Sequence, residues 1–152
     1  MIKRMGAMLS LLCVAVMMQA QIHEPIKCEA SWAMVGEGVA ELRIAAKIDA
    51  GWHVYSTDLP EGGPISATFN VDQIEGLELD GKLMPEGKEI ESFDKVFDMK
   101  LRYFEEKAVF VQKLKITGAN YFIEGYLQYG SCNDENCLPP TNYEFSISGK
   151  GV

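Results

Sequence analysis

The sequence has little of the side chains that carry most enzyme chemistry. Its 152 residues include two histidines and four cysteines. His23 and His53 lie far apart, and no second pair of cysteines or histidines accompanies Cys132 and Cys137 at the spacing typical of zinc ligands. We therefore predict neither a metal site nor a bound cofactor.

Positive charge is also scarce. The chain carries 14 lysines and arginines against 22 aspartates and glutamates, which gives a formal net charge of −8 at pH 7. Proteins that bind the phosphate backbone of nucleic acids, or anionic lipid surfaces, do so through clustered Lys and Arg side chains. The composition therefore argues against both kinds of partner.

The chain has no apolar run of the roughly 20 residues that a membrane-spanning helix needs. Residues 9–18 form a shorter apolar run, between a basic start and the polar residues 21–24. This is the three-part pattern of a secretory signal peptide. We predict that residues 1–20 are removed by cleavage after Ala20. The remaining chain is expected to be periplasmic or otherwise exported, with no stable membrane insertion.

Signal removal would change both the charge and the cysteine content. It takes away Lys3 and Arg4 and no acid, so the net charge of residues 21–152 becomes −10. Cys13 leaves as well, and its place inside the apolar run, with no small residue before it, argues against a lipoprotein signal. Of the cysteines that remain, we expect Cys28 to be a buried free thiol, which behaves as a small hydrophobic side chain.

Amphipathic helices, internal repeats and low-complexity segments are missing too. Residues 39–49 instead alternate apolar and polar side chains, such as Leu42 and Ile44 against Glu41 and Arg43, as in a β-strand with one buried face. We predict a loop at residues 90–98. Further strands are predicted at residues 25–35, 51–56, 65–71, 108–116, 121–129 and 142–148, and another strand is predicted to begin at residue 99. Residues 72–89 are predicted to be mostly a surface connection, with one short strand at 77–79.

Roughly seven to nine short strands separated by turn residues are typical of an all-β fold. We predict an immunoglobulin-like antiparallel β-sandwich, with a closed barrel as the alternative architecture. The length allows one such domain, over residues 21–152.

Cys132 and Cys137 are separated by four polar residues that favour a turn. So short a loop can hold a disulfide, which is the expected state in an oxidising compartment. The spacing alone does not decide between a structural staple and a redox-active pair. Closing a short loop stabilises a fold little, whereas exposed bridges tend to be labile or catalytic. We therefore favour the redox interpretation.

The residues between the two cysteines include acids. Asp134 and Glu135 oppose thiolate formation, so we expect ordinary or raised pKa values for both thiols. Such a pair attacks poorly on its own, and suits a disulfide that is attacked by the thiolate of a partner. A Cys–His nucleophile would require His53 to approach a free cysteine, and the sequence leaves that possibility open.

Several segments resemble the N-terminal periplasmic domain of the DsbD-type thiol:disulfide interchange proteins, also called the disulfide bond corrector domain. The resemblance covers nearly all of the chain after the signal segment. It rests on Gly-Trp-His-Val-Tyr-Ser at 51–56, the strand segment 104–116, Gly-Tyr-Leu-Gln-Tyr-Gly-Ser-Cys at 125–132 and Cys-Leu-Pro-Pro at 137–140. The chain departs from the family pattern in having one residue fewer between the cysteines, and Asn136 in place of an aromatic before the second.

The resemblance implies an immunoglobulin-like sandwich with Cys132 and Cys137 as the redox pair. It implies that Tyr55 is an aromatic near this pair. It also implies a mobile cap loop, here residues 92–98, in which Phe93 or Phe97 shields the disulfide.

The resemblance also implies partners. The electron donor would be a thioredoxin-like protein, and the acceptors would be exported thiol proteins such as disulfide isomerases or cytochrome c maturation factors. Because the chain ends at Val152, without a membrane domain or a thioredoxin-like domain, we expect the donor to be a separate protein that is met by diffusion.

Other interpretations stay open for the same residues. Trp52, His53 and Tyr55 can be ordinary strand packing, Trp52 more so than Tyr55, while Phe93 and Phe97 can form a small hydrophobic cluster under a loop. The protein can then be an immunoglobulin-like binding module with a structural disulfide, or a domain that docks a partner strand at a sheet edge. A redox-active pair would give protein-disulfide reductase activity, by thiol:disulfide interchange.

Overall fold

The computed structural model describes residues 23–151, which form β-strands and no helix. The signal segment 1–20 and its cleavage site lie outside the described residues. Within that described part, no helix is long and apolar enough to cross a membrane. The strands are β1 (Ile26–Gly36), β2 (Val39–Ile48), β3 (His53–Tyr55), β4 (Thr68–Glu75), β5 (Leu77–Leu79), β6 (Met84–Glu86), β7 (Ile90–Asp94), β8 (Met99–Phe104), β9 (Lys107–Ile116), β10 (Asn120–Tyr129), β11 (Ser131–Cys132) and β12 (Thr141–Lys150).

The strands are arranged in three sheets. The large sheet has the order β1-β2-β9-β5, with β6 also paired to β9, and the back sheet has the order β12-β10-β4. The small sheet has the order β11-β3-β8-β7. Every strand pair in these sheets is antiparallel.

The core lies between the large sheet and the back sheet. In β2, Leu42 and Ile44 are fully buried, while Glu41 and Arg43 between them keep part of their surface in water, as the period-two pattern predicts. Each buried aliphatic or aromatic side chain contributes about 1.5–3 kcal/mol by leaving water. The side chains that join the two sheets include Leu42, Ile44, Phe110, Leu114, Ile123, Leu127 and Phe145.

This packing of two antiparallel sheets confirms the predicted immunoglobulin-like sandwich. The described strands form separate sheets, so the closed barrel considered as an alternative is wrong for this part of the chain.

The loop prediction for residues 90–98 is wrong over its first half. Ile90–Asp94 is strand β7, which pairs with β8 from Ile90 opposite Tyr103 to Asp94 opposite Met99. Only residues 95–98 form the turn of this hairpin. The pattern is hard to detect because β7 lies at a sheet edge and is largely exposed, so its side chains do not alternate between water and a core.

The connection predicted at residues 72–89 also contains more strand than expected. The strand predicted at 65–71 begins at Thr68 and continues to Glu75, and Met84–Glu86 forms β6 against β9. β6 contains Pro85, which lacks a backbone N–H and is tolerated in strands mainly at edges. The turn residues that surround these short strands mask them in the sequence.

Gly125 gives a test of the back sheet. A Cβ at this position would lie 2.0 Å from the backbone oxygen of Asn70 in β4, at the point where the β4–β10 register shifts. We expect Gly125→Ala to lower the free energy of unfolding by about 1–3 kcal/mol, because backbone must move to relieve the overlap. Urea denaturation followed by circular dichroism measures this change.

Gly36→Ala is the matched control for this prediction. A Cβ at Gly36 meets only Val39 Cβ at 3.8 Å, an ordinary contact distance. Its unfolding free energy should stay within about 1 kcal/mol of the unaltered protein. Equal stabilities for the two variants would contradict the close approach of β4 and β10 at Gly125.

Candidate functional site

Cys132 and Cys137 form a disulfide, with a Cα–Cα distance of 4.0 Å. Cys132 ends β11, and the two cysteines face each other as an isolated antiparallel bridge. Asn133 shapes the connecting loop: its backbone N–H donates to the Asn136 carbonyl at 2.8 Å, and its side-chain Oδ1 accepts from the backbone N–H groups of Glu135 and Asn136 at 2.9 and 2.6 Å. The loop is therefore a closed, hydrogen-bonded turn.

The two half-cystines differ in access to solvent. Cys132 is 4% exposed, whereas Cys137 is exposed to solvent. A thiolate arriving from solution can therefore reach the Cys137 end of the bridge much more easily than the Cys132 end.

Strand register places aromatic side chains beside Cys132. Cys132 lies opposite His53 in the β11–β3 pair, and Tyr55 lies opposite Tyr103 in the β3–β8 pair. Directly opposite residues, and residues two apart on one strand, project from the same face of a sheet. Cys132 packs there in what we call the site cluster, formed by Tyr55, Leu59, Phe97, Met99, Leu101, Tyr103 and Cys132.

Tyr55, which the resemblance implied as an aromatic near the pair, is 2% exposed and packs in the site cluster with Cys132, and its role there stays a prediction. Its backbone N–H donates to the Gly130 carbonyl at 3.1 Å. Gly130 permits this approach, because a Cβ there would lie 3.1 Å from Ile65 Cγ1 and 3.4 Å from Tyr55 Cδ2. Burial raises the pKa of Tyr55 to about 12, so its phenol stays neutral at physiological pH.

The two cap candidates occupy different environments. Phe97 is half-buried and packs in the site cluster, whereas Phe93 is 57% exposed and lies outside it. Asp94 Oδ1 accepts hydrogen bonds from the backbone N–H groups of Val96 and Phe97 at 2.8 and 3.1 Å, which shapes the turn that carries Phe97. Of the two, Phe97 is therefore the one that packs against the cluster containing Cys132.

Negative charge surrounds the neighbouring histidine. Burial lowers the pKa of His53, and the charges of Glu105, Asp94 and Asp134 oppose that shift without overcoming it. His53 is therefore neutral at physiological pH, and its Nε2 lies 3.1 Å from the Tyr55 hydroxyl oxygen.

The structure also bears on the alternative chemistries. Cys132, which lies opposite His53, is bonded to Cys137, so these residues do not form a Cys–His nucleophile in the disulfide state. Among residues 23–151, no group of three or more His, Cys, Asp or Glu side chains could hold a metal ion. Trp52 packs against the main core rather than the site cluster, which fits the strand-packing interpretation.

Sequence reasoning missed part of the site cluster. Leu59, Met99, Leu101 and Tyr103 come from the loop after β3 and from β8, far from the cysteines in the chain. The sequence did contain one signal for the site. His53 and Tyr55 are two residues apart on a predicted strand, so their side chains must project from the same face.

Cys28 lies on β1 and is a free, half-buried cysteine. Burial raises the pKa of its thiol from 9.0 to about 11, while a hydrogen bond with Tyr129 acts in the opposite direction. Because only the thiolate reacts with electrophiles, this thiol is chemically quiet at neutral pH.

Taken together, the fold and the site define an immunoglobulin-like β-sandwich with a half-exposed disulfide at the end of a strand. The model of the family described as "Thiol:disulfide interchange protein DsbD, N-terminal" matches residues 19–148, and the chain belongs to this family. No curated protein sequence matches the chain.

Solved structures show a similar fold. The N-terminal periplasmic domain of ScsB from Proteus mirabilis superposes with a TM-score of 0.60 and 16% identity over 82% of this chain. The match takes in 47% of the ScsB chain, so this protein spans about half of its length. The Neisseria meningitidis DsbD N-terminal domain in the reduced form gives a TM-score of 0.45 and 21% identity, over 80% of this chain and 86% of that one.

Cys28 provides a prediction from its pKa. At pH 8 a thiol with a pKa near 11 holds on the order of a hundredfold less thiolate than one with a pKa of 9.0. We expect Cys28 in the folded protein to react with iodoacetamide at least that much more slowly than in urea, with the rate rising tenfold per pH unit up to about pH 11. Mass spectrometry of the Cys28 peptide measures the rate, and equal rates in the folded and unfolded protein would contradict the burial of this thiol.

Proposed function

We propose that this protein is a periplasmic thiol-disulfide exchange protein that passes reducing equivalents through Cys132 and Cys137. The observation that carries the proposal is the asymmetry of the bridge, with Cys137 exposed and Cys132 buried in an aromatic cluster. An asymmetric bridge offers one sulfur to a partner and keeps the other out of water. Membership of the DsbD N-terminal family supports the same function.

The reaction begins at the exposed sulfur. A thiolate of the donor attacks Cys137 Sγ, the bridge breaks, and Cys132 Sγ leaves with the electron pair as a thiolate. The donor is now joined to Cys137 by a mixed disulfide. The second cysteine of the donor, as a thiolate, attacks the donor sulfur of that mixed disulfide. This attack releases the Cys137 thiolate and leaves the donor with an intramolecular disulfide.

Delivery to an acceptor runs the same chemistry in reverse. The Cys137 thiolate attacks the disulfide of the acceptor, and one acceptor sulfur leaves as a thiolate. Cys132 then attacks Cys137 Sγ, which restores the Cys132–Cys137 bridge and releases the acceptor as a dithiol. Two electrons pass from donor to acceptor, and the activity is of the protein-disulfide reductase type.

The charges around the bridge support a passive role for it in the first step. Asp94 and Asp134 lie close enough to act on His53, which faces Cys132 in the strand register, and the loop between the cysteines contains no Lys or Arg. Negative charge opposes the formation of a thiolate. The attacking thiolate should therefore come from a partner whose own thiol has a low pKa, as a thioredoxin-like donor supplies.

Partners and location follow from the relatives and from the sequence. The ScsB domain is described as periplasmic, and residues 1–20 have the pattern of an export signal. We infer that residues 21–152 work as one domain outside the cytoplasm, with a thioredoxin-like donor and exported thiol proteins as acceptors.

Phe97 acts as the cap of the disulfide in this proposal. It packs in the site cluster with Cys132, and Asp94 fixes the turn that carries it. Covering the bridge would slow its reaction with small thiols until a docked partner displaces the turn.

A trapped mixed disulfide tests the proposed function. Oxidised protein is mixed with a thioredoxin whose resolving cysteine is replaced by serine, so that its remaining thiolate can attack but cannot release the product. We expect a disulfide-linked adduct at Cys137, identified by mass spectrometry after quenching with acid. Cys28→Ser should give the same adduct, because Cys28 is a free cysteine outside the Cys132–Cys137 bridge and takes no part in the proposed attack.

Absence of an adduct, with folded protein and an active thioredoxin variant, would overturn the exchange function. That outcome would favour an immunoglobulin-like binding module, in which the bridge and the hydrogen bonds of Asn133 only fix the loop. An adduct at Cys132 rather than Cys137 would contradict the order of attack.

The cap is tested by replacing each phenylalanine in turn. We expect Phe97→Ala to speed the reduction of the bridge by dithiothreitol about tenfold, which equals about 1.4 kcal/mol of activation free energy. Phe93→Ala is the matched control on the same hairpin and should leave the rate unchanged, because Phe93 is 57% exposed and outside the cluster. Unchanged rates in both variants would remove the capping role.

A further inference from the structure

His53 is the polar side chain placed directly across the β11–β3 ladder from Cys132. Side chains of directly opposite residues lie on one face of an antiparallel pair, with Cβ atoms roughly 4.5–5.5 Å apart. The buried sulfur of the bridge therefore has an imidazole as its neighbour on the next strand.

The imidazole ring is held in place by two tyrosines. His53 Nε2 lies 3.1 Å from the Tyr55 hydroxyl oxygen, and the two ring centroids are 5.0 Å apart in an edge-on contact. The Tyr103 ring centroid lies 4.8 Å away on the neighbouring strand. When Nε2–H donates to the Tyr55 oxygen, the lone pair of His53 is on Nδ1, the ring nitrogen closer to the backbone.

The electrostatic setting suits a base. Burial lowers the pKa of His53 and leaves its imidazole neutral, with a lone pair free to accept a proton, while the charges of Glu105, Asp94 and Asp134 act against that shift and would stabilise an imidazolium. The same carboxylates destabilise an isolated thiolate. The charged and titratable groups that act on this pair are Tyr55 on the same strand, Tyr103 and Asp94 on the neighbouring hairpin, Glu105 after β8, and Asp134 in the disulfide loop.

We propose that His53 is the proton acceptor and counter-charge of Cys132 in the reduced protein. The inference rests on the proposed exchange function and specifies how the buried sulfur is handled in it. The proton of the Cys132 thiol passes to His53, which leaves a thiolate beside an imidazolium with no change in net charge.

Each step of exchange then balances. During oxidation, the electron pair of the Cys132 thiolate forms the bond to Cys137 Sγ, the acceptor sulfur leaves with the electron pair of the bond that breaks, and His53 returns its proton to solvent. During reduction, Cys132 leaves as a thiolate and His53 takes up a proton beside it. The protonation of His53 is therefore coupled to the redox state of the bridge.

NMR titration of the unaltered protein tests this coupling. The imidazole signals of His53 and His23 are followed against pH in the oxidised and the reduced protein. We expect reduction to raise the pKa of His53 by about one unit or more, because a thiolate forms next to it. His23, whose Nε2 lies 3.4 Å from Asp49 Oδ2, supplies the reference imidazole signal.

A second experiment measures the fraction of Cys132 that is ionised to the thiolate. With Cys28→Ser and Cys137→Ser, Cys132 is the remaining thiol of residues 21–152, and its thiolate absorbs at a wavelength of about 240 nm. We expect His53→Gln and His53→Phe to lower the thiolate fraction at pH 7 about tenfold, equivalent to one pKa unit. His23→Gln is the matched control and should leave the titration unchanged.

The outcomes separate this inference from the exchange function, since neither experiment needs a partner protein. An unchanged His53 titration on reduction would overturn the proton-acceptor role even if the mixed disulfide forms. Superimposable thiolate titrations, in variants that circular dichroism shows to be folded, would do the same and leave His53 a packing residue. If both His53 variants fail to fold, the NMR titration decides alone.

Discussion

The short pairing of β11 with β3 decides where chemistry can take place in this protein. It consists of two residue pairs, Ser131 with Val54 and Cys132 with His53. Tyr55 N–H adds one more backbone bond, to the Gly130 carbonyl. Through this ladder the chain leaves the back sheet, joins the small sheet, and brings one cysteine under the aromatic side chains of β3 and β8.

The same ladder makes the two sulfurs different. Cys132 is part of the sheet and is buried. Cys137 is exposed and directly follows the turn that the Asn133 side chain closes through its hydrogen bonds. A disulfide within a flexible loop would expose both sulfurs to any thiol. Here the difference in exposure supports a direction of attack, and the hairpin that carries Phe97 packs against the cluster that contains the buried Cys132.

The charges at this site disfavour a thiol that is deprotonated, and therefore nucleophilic, on its own. Acids near the bridge oppose thiolate formation, and burial opposes it further at Cys132. An imidazole next to that sulfur offsets both effects without adding fixed positive charge. The chain belongs to the DsbD N-terminal family, and in this structure His53 lies directly across the β11–β3 ladder from Cys132.

The sequence by itself determined the all-β sandwich, the disulfide pair and its family. Period-two alternation in β2 and the spacing of Cys132 and Cys137 are local patterns, and local patterns can be read along the chain. Strand β7 was missed because an exposed edge strand has no buried face to produce alternation. The roles proposed for the site residues stay predictions from sequence and geometry.

Only the tertiary structure decided which of the two phenylalanines packs in the cluster with Cys132, which half-cystine is exposed, and that His53 lies opposite the buried one. Phe93 and Phe97 sit on one hairpin, and the sequence treats them alike, but the turn directs just one of them into the cluster. These facts depend on strand register between segments about eighty residues apart, as for β3 and β11. β3 and β11 are not joined by a hairpin turn that would fix their register, so neither segment by itself shows which residues of the other it will face.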